Sequence, residues 1–147
     1  FDIGTHSETH PKMSTLSQLK MSEELKTSIS KITNITGEPV KFFRAPFGDY
    51  SDTVLNVASS LGLKTIQWDV DTLDWKGLSA NEILNRVKAS VKNGSIILCH
   101  NNSEHIIEAL PLIISYLKCE GYQMVKLSQL VYENNYIVDN NGLQKSK

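Results

Sequence analysis

The chain has 147 residues, 40% of them hydrophobic and 21% charged, and a formal net charge of −1. This is the size of about one domain, at roughly 100–200 residues each, and it is enough to bury a core. Its only arginines, Arg44 and Arg86, and its scattered lysines form no basic patch, which argues against nucleic acid as a partner. No apolar run reaches the roughly 18 residues of a membrane span. Cys99 and Cys119 are too few for a disulfide framework.

Short apolar segments alternate with longer segments of helical periodicity. Apolar residues at i, i+4 and i+7 predict amphipathic helices, whereas short apolar runs between turn residues predict strands. The predicted strands are residues 1–4, as the end of a strand, and residues 40–43, 63–68, 95–99 and 123–126. Three predicted helices follow the N-caps Ser22, Ser51 or Asp52, and Ser79. Two more cover residues 108–120 and 128–132, and Pro111 is expected in the first turn of the former. Residues 69–77 are predicted as a loop, and the chain from Glu133 as a mobile polar tail.

Alternating strands and helices predict a parallel sheet covered by helices. Sheets of this kind bind ligands at the carboxyl ends of their strands. The unusual polar residues all follow predicted strands, and they are His6 and His10, Arg44, the aspartates at 69, 71 and 74, and His100. We therefore expect them on one rim of the fold.

His6 and His10 form the pattern H-x-x-x-H in a polar segment that ends at Pro11. Neutral histidine is the commonest protein ligand for zinc, and this spacing lets two rings converge on one ion. The pattern is short, so two solvent-exposed histidines in a loop are the alternative.

Three other features suit acid–base or substrate chemistry. Arg44 precedes a Pro-Phe-Gly turn and could hold a carboxylate with its planar fork, or could be a surface arginine beside a turn. Asp71 and Asp74 stand close to Trp75, which fits either a site or a capped loop with a core tryptophan. His100 at a strand end could be a general acid or a core histidine bonded to a carbonyl. His105 has no such context, and we expect it to be solvated.

Four segments together resemble the polysaccharide deacetylases, which are carbohydrate esterase family 4 and carry the NodB-homology domain. The segments are His6-Ser7-Glu8-Thr9-His10, Arg44-Ala45-Pro46-Phe47, Asp71-Thr72-Leu73-Asp74-Trp75 and Leu98-Cys99-His100. Their order and spacing are similar to motifs two to five of the family, over residues 1–132. Four motifs in register are much more specific than any one of them.

The resemblance implies an α/β fold, a deformed (β/α) barrel of the glycoside hydrolase/deacetylase type. The family's first motif, whose paired aspartates supply the third metal ligand and the catalytic base, is not matched in this sequence. We therefore expect residues 1–132 to be the C-terminal two-thirds of a deacetylase domain without its N-terminal strands, followed by a tail at 133–147. Alone, such a chain should be inactive and should self-associate through an open sheet edge. If it were active, Asp49 or Asp69 would be the first candidates for the base.

The resemblance also implies a role for each site residue. The roles are metal binding by His6 and His10, acid–base chemistry by His100, Asp74 and Arg44, and substrate or oxyanion contacts by Phe47, Trp75 and Leu98. The metal would be divalent, with Zn²⁺ the first choice. His100 would protonate the departing amine, with Asp74 orienting and charging it, and Arg44 would position the base. The Phe47 amide would hold the oxyanion, beside an acetyl pocket.

The implied function is metal-dependent hydrolysis of N-acetyl groups on an amino-sugar polymer, either peptidoglycan of the cell wall or spore cortex or a chitin-like oligosaccharide. The alternative is an inactive metal- or glycan-binding module, because the base motif is missing. A metalloprotease does not fit, since Glu8 is adjacent to neither His6 nor His10. A glycan substrate of this kind predicts an extracellular or envelope location, with any signal or anchor upstream.

Overall fold

The computed structural model describes residues 1–139 and 143–147. These residues form two compact units, Phe1–Gln67 and Trp68–Lys147. The strands are β1 (Gly4–Thr5), β2 (Phe42–Phe43), β3 (Lys64–Thr65), β4 (Val70–Asp71), β5 (Ile97–Leu98), β6 (Tyr136–Val138) and β7 (Gln144–Ser146). The α-helices are α1 (Gln18–Thr36), α2 (Asp52–Ser60), α3 (Ala80–Ser90), α4 (Ile106–Cys119) and α5 (Leu127–Leu130). No helix in the described residues is long and apolar enough to cross a membrane.

The first unit is a parallel sheet in the order β1-β2-β3, with α1 and α2 as its connections. Gly4 pairs with Phe42, and Phe42 pairs with Lys64. The predicted alternation of strands and helices is therefore confirmed here. The apolar core of this unit comes from α1, α2, β2 and the segments beside them, and its buried residues are Met13, Met21, Leu25, Phe43, Ala45, Val54, Ala58 and Leu63.

Helix α1 begins earlier than the sequence pattern indicates. Ser22 was predicted as its cap, but Ser17 is the N-cap, and the Ser17 hydroxyl accepts the Lys20 N–H at 3.4 Å. The prediction was wrong because Met21 is buried beside Leu25, which extends the apolar stripe by one turn toward the N-terminus. The predicted C-terminal stop is confirmed, since Gly37 adopts a left-handed φ of 72°.

The second unit pairs β4 with β5 in parallel across α3. The predicted capping box of α3 is confirmed, because Ser79 accepts the Glu82 N–H while the Glu82 carboxylate accepts the Ser79 N–H and hydroxyl. Hydrogen bonds from Ser79 lower the pKa of Glu82, and the bond from the hydroxyl has a larger effect than the bond from the N–H. The core of this unit is Val70, Ile83, Val87, Ala109, Ile113 and Leu117.

Two predictions about the second unit were wrong, one of a loop and one of a strand. The predicted loop at 69–77 contains β4, because the carbonyl of Ile96 and the backbone of β5 supply hydrogen-bond partners that only the fold brings near. Residues 123–126, predicted as a strand, form none, and Met124 and Val125 are about half exposed. Within the described residues this segment pairs with no strand.

The C-terminal part of the chain also differs from the prediction. Helix α4 begins at Ile106, so Pro111 lies inside the helix rather than in its first turn. The segment predicted as a mobile tail from Glu133 contains an antiparallel hairpin of β6 and β7, with Ile137 opposite Lys145. The part of the predicted tail at 140–142 lies outside the described residues. Cys99 and Cys119 are exposed and form no disulfide.

Replacing Leu25 with alanine should destabilise the first unit by about 2–5 kcal/mol, because Leu25 is fully buried and its loss leaves a cavity. Leu19→Ala is the matched control on the same helix, since Leu19 is 69% exposed. Its effect should stay within about 0.5 kcal/mol. Urea unfolding followed by circular dichroism measures both values. Equal effects of the two substitutions would contradict the assigned core face of α1.

Candidate active site

The loop after β1 brings the two predicted metal ligands together. The rings of His6 and His10 lie edge to face, with centroids 4.8 Å apart and an interplanar angle of 70°. Both residues are exposed. Ser7 and His10 adopt left-handed φ angles of 69° and 59°, and the Ser7 hydroxyl accepts the His10 N–H at 3.0 Å. The loop is therefore a tight turn that directs two imidazoles to one place.

The ring orientation of His6 is fixed by the next strand. Its Nδ1 lies 2.7 Å from the carbonyl oxygen of Arg44, directly after β2. A carbonyl only accepts hydrogen bonds, so Nδ1 must carry the proton and donate it. The neutral ring then presents the lone pair of Nε2. Histidine ligands are commonly oriented through their second nitrogen in this way.

Phe47 extends this cluster. Its ring packs edge to face against His10, with centroids 4.6 Å apart, and its side chain is 65% exposed. Phe47 lies in a 3-10 turn, Pro46–Gly48, with a left-handed φ of 59°. N–H groups in the first turn of a helix have no intrahelical acceptor, so this geometry leaves the Phe47 amide able to donate to a ligand.

In the second unit, Asp74 and His100 form a tightly defined pair. Asp74 is 1% exposed, and its two carboxylate oxygens accept the His100 backbone N–H at 2.8 Å and His100 Nδ1–H at 2.7 Å. The carboxylate accepts from Nδ1, which leaves Nε2 of the partly exposed ring as the outer nitrogen. This arrangement can hold an imidazole in one tautomer for proton transfer.

One polar contact reaches Asp74 directly and two others hold the residues just before it, and sequence reasoning missed all three. The buried Ser103 hydroxyl donates to the Asp74 carbonyl at 2.7 Å, and buried Thr72 donates to the Leu98 carbonyl at 2.8 Å. The Asp71 carboxylate accepts the Leu73 N–H at 2.9 Å, where Leu73 has a left-handed φ of 50°. Only the Asp71–Leu73 spacing offered a sequence clue, as an Asx turn.

The remaining predicted site residues differ in how much of their surface is exposed to solvent. Leu98 is buried at the end of β5, and Trp75 is 58% exposed with Lys76 Nζ 5.1 Å from its ring centroid. Arg44 is partly buried after β2. The roles predicted for these three side chains stay predictions. His105, predicted to be solvated, is only partly exposed and lies 3.9 Å from Glu104 and 3.6 Å from Glu108.

Asp49 and Asp69, the alternative candidates for the catalytic base, both bind backbone N–H groups. Asp49 accepts the Ser14 N–H and hydroxyl, each at 2.8 Å. Asp69 accepts the Ile96 N–H at 2.8 Å and the Ser95 hydroxyl at 2.9 Å. Each carboxylate uses both oxygens in these bonds, so both side chains are held against neighbouring backbone.

The histidine pair fits part of a zinc site. A catalytic zinc takes three protein ligands and one open position, and neutral imidazole is a preferred donor. His6 and His10 supply two donors at a suitable separation, with the His6 tautomer set for Nε2. Among residues 1–139 and 143–147, no group of three His, Cys, Asp or Glu side chains is arranged to hold a metal.

Comparison with known proteins agrees with the resemblance seen in the motifs. The family model for polysaccharide deacetylase matches residues 1–66. A peptidoglycan-N-acetylglucosamine deacetylase of Bacillus cereus is 32% identical over 132 residues, which are 87% of this chain and 48% of that protein. The chain spans about half or less of the length of the curated relatives that it matches.

Solved structures show the same fold. A family 4 carbohydrate esterase of Streptomyces lividans, in complex with acetate, has a TM-score of 0.80 and 31% identity, covering 88% of this chain and 68% of that one. A CE4 family pseudoenzyme of Bacillus anthracis has a TM-score of 0.84 and 35% identity, covering 86% of this chain and 45% of that one. The fold is thus of the α/β carbohydrate esterase type, as predicted. The chain belongs to the polysaccharide deacetylase family, carbohydrate esterase family 4.

The Asp49 contact predicts a pH-dependent contribution to stability. Hydrogen bonds from the Ser14 N–H and then its hydroxyl hold the pKa of Asp49 below its ordinary value. A lowered folded pKa adds stability above the unfolded pKa, and this stability is lost as the pH falls through the folded pKa. Asp49→Asn should therefore lower the unfolding midpoint near neutral pH and lose this effect in acid.

Thermal unfolding of wild type and Asp49→Asn across this pH range measures the difference. Glu38→Gln is the control, because the exposed Glu38 carboxylate accepts no hydrogen bond from another described residue. If the unfolding midpoint of Asp49→Asn stayed below that of wild type by the same amount down to strongly acidic pH, the result would contradict the Asp49–Ser14 contact.

Proposed function

We propose that this chain carries the metal-binding and proton-donating residues of a deacetylase that hydrolyses N-acetyl groups on peptidoglycan amino sugars. The observation that carries the proposal is the Asp74–His100 pair. A glycan-binding surface has no need of a buried carboxylate that fixes an imidazole through both the ring and the backbone. That arrangement suits a residue that must deliver a proton at a defined position.

His100 would protonate the leaving amine from Nε2. Asp74 accepts from Nδ1, so the proton on Nε2 is the one that faces away from the carboxylate. The negative charge of Asp74 compensates the positive charge that the ring carries as an acid. Trp75 and Leu98 belong to the same unit and would bound the space for the acetyl methyl group.

His6 and His10 would hold a divalent ion, with zinc the first choice, and the Arg44 carbonyl would keep His6 in the binding tautomer. When bound, such an ion supplies Lewis-acid chemistry, polarising a carbonyl and making water a better nucleophile. The Phe47 N–H would donate to the carbonyl oxygen as negative charge develops there. Arg44 would position a carboxylate base.

The relatives support the substrate class. A Bacillus cereus relative is named for deacetylation of N-acetylglucosamine in peptidoglycan, and a similar esterase was solved with acetate, the acid that deacetylation releases. A peptidoglycan substrate implies action outside the cell or on its envelope, so we propose that location too.

The second candidate is an inactive metal- or glycan-binding module. One finding favours it, since the Bacillus anthracis structure that matches this chain is described as a pseudoenzyme, and a mutant of it is described as having restored activity. The two candidates differ in acetate release, while both predict that the chain binds glycan or metal.

Zinc titration tests the metal proposal. The imidazole resonances of His6 and His10 should shift with added zinc, and His10→Ala should remove most of the shift of His6, because two donors bind one ion. With two histidines supplied, the affinity should be weak. His105 is the internal control. Equal zinc shifts at His105 and His10 would contradict a site at the histidine loop.

Acetate release tests the chemistry. N-acetylated chito-oligosaccharide and peptidoglycan are the substrates, and the full-length gene product that contains this chain is the enzyme. His100→Ala should lower turnover by about 10²–10⁴-fold, the range for a positioned proton donor. His105→Ala is the matched control and should leave turnover unchanged. Wild-type turnover in His100→Ala would rule out the proton-donor role, and no release by the unmodified protein would favour the inactive module.

A further inference from the structure

One face of α1 carries polar side chains that contact β1 and the histidine loop. Glu24, Ser28 and Lys31 stand at i, i+4 and i+7, which places them on one side of the helix. The Ser28 hydroxyl lies 2.7 Å from the Thr5 hydroxyl in a buried contact, and Lys31 forms an ion pair with Glu8. This polar stripe therefore follows the chain from β1 into the segment between His6 and His10.

Within this stripe, Glu24 accepts three hydrogen bonds from the histidine loop. One of its carboxylate oxygens accepts the N–H of Glu8 at 2.9 Å and the N–H of Thr9 at 2.8 Å, and the other accepts the Thr9 hydroxyl at 2.7 Å. Hydrogen bonds to an ionised carboxylate are stronger than those between neutral groups. Burial acts to raise the pKa of Glu24, but the hydrogen bonds from Thr9 and Glu8 outweigh it and the pKa is lowered.

The two N–H groups that Glu24 holds belong to the residues between the histidines. The turn is not an intrinsically favoured one, since Ser7 and His10 both adopt left-handed φ angles without being glycine. An external anchor is needed to keep such a turn in one conformation. Glu24 supplies it from the rigid helix, 15 and 16 residues away along the chain.

We propose that Glu24 is a positioning residue for the metal-binding histidines. By anchoring the peptide groups of Glu8 and Thr9, it sets the separation and direction of the His6 and His10 rings before any ion binds. The proposal rests on the proposed metal-binding function of these histidines, and it assigns Glu24 no contact with the ion. Preorganised donors bind more tightly because less conformational freedom is lost on binding.

The test compares zinc affinity in four forms of this chain, namely wild type, Glu24→Gln, Glu24→Asp and the control Glu23→Gln. Glu23 lies one position along α1 and pairs with Lys20 instead of the loop. Zinc titration by NMR is performed at a temperature where circular dichroism shows all four to be fully folded. Glu24→Gln should weaken binding about tenfold or more, in the range typical for residues that orient metal ligands.

Glu24→Asp keeps both charged oxygens on a shorter side chain and should recover part of the lost affinity, whereas Glu23→Gln should match wild type. If Glu24 contributed only to global stability, the four fully folded forms would bind zinc with the same affinity. Unchanged zinc affinity in Glu24→Gln, with normal binding by wild type, would overturn the role of Glu24 and leave the metal proposal intact.

A second measurement needs no metal. In the metal-free chain, hydrogen exchange of the Glu8 and Thr9 amides should be faster in Glu24→Gln than in Glu23→Gln, and the His10 ring resonances should move while those of His105 stay. Unchanged exchange and ring resonances would overturn the inference even if wild type failed to bind zinc. Failure of wild type to bind zinc would instead count against the proposed function.

Discussion

The hydrogen bonds of the Arg44 peptide group are the interactions on which the histidine loop of the first unit depends. Its N–H donates to the Thr5 carbonyl at 3.0 Å and continues the pairing of β1 with β2, while its carbonyl accepts the His6 ring proton at 2.7 Å. The same peptide therefore fixes a strand register and a histidine tautomer. Because a one-residue slip in register would reverse every side chain, the ring could not keep this partner in another pairing.

Acidic side chains repeatedly hold loops in place at the strand ends of this protein. Glu24, Asp49, Asp69, Asp71 and Asp74 each accept at least one backbone N–H from a loop or a neighbouring strand. An N–H group left without a partner is costly, and a carboxylate can satisfy two donors at once. These carboxylates therefore fix the backbone within each unit, and Asp74 also contacts the His100 ring.

Local chemistry made some features predictable, whereas others depended on distant partners. The roles of Ser79 and Gly37 were predicted correctly, because a capping box and a left-handed glycine at a helix C-terminus depend on residues only a few positions apart. The spacing of His6 and His10 predicts that their rings lie close together, but the turn that brings them together is anchored by Glu24, 15 and 16 residues away from Thr9 and Glu8. Ser103 was missed because its partner lies 29 residues away, and β4 was missed because a two-residue strand exists only through its pairing with β5.

The left-handed backbone of Phe47 and Leu73 has a consequence for how this protein tolerates substitution. Bulky residues at φ angles of 59° and 50° carry a conformational cost of about 1–3 kcal/mol each, which glycine or asparagine would reduce. A library selected for thermal stability alone would thus accumulate small residues at these two positions. A library selected for the proposed deacetylase activity would instead keep the side chains that contact His10 or precede Asp74, so the two selections would favour different residues in the same loops.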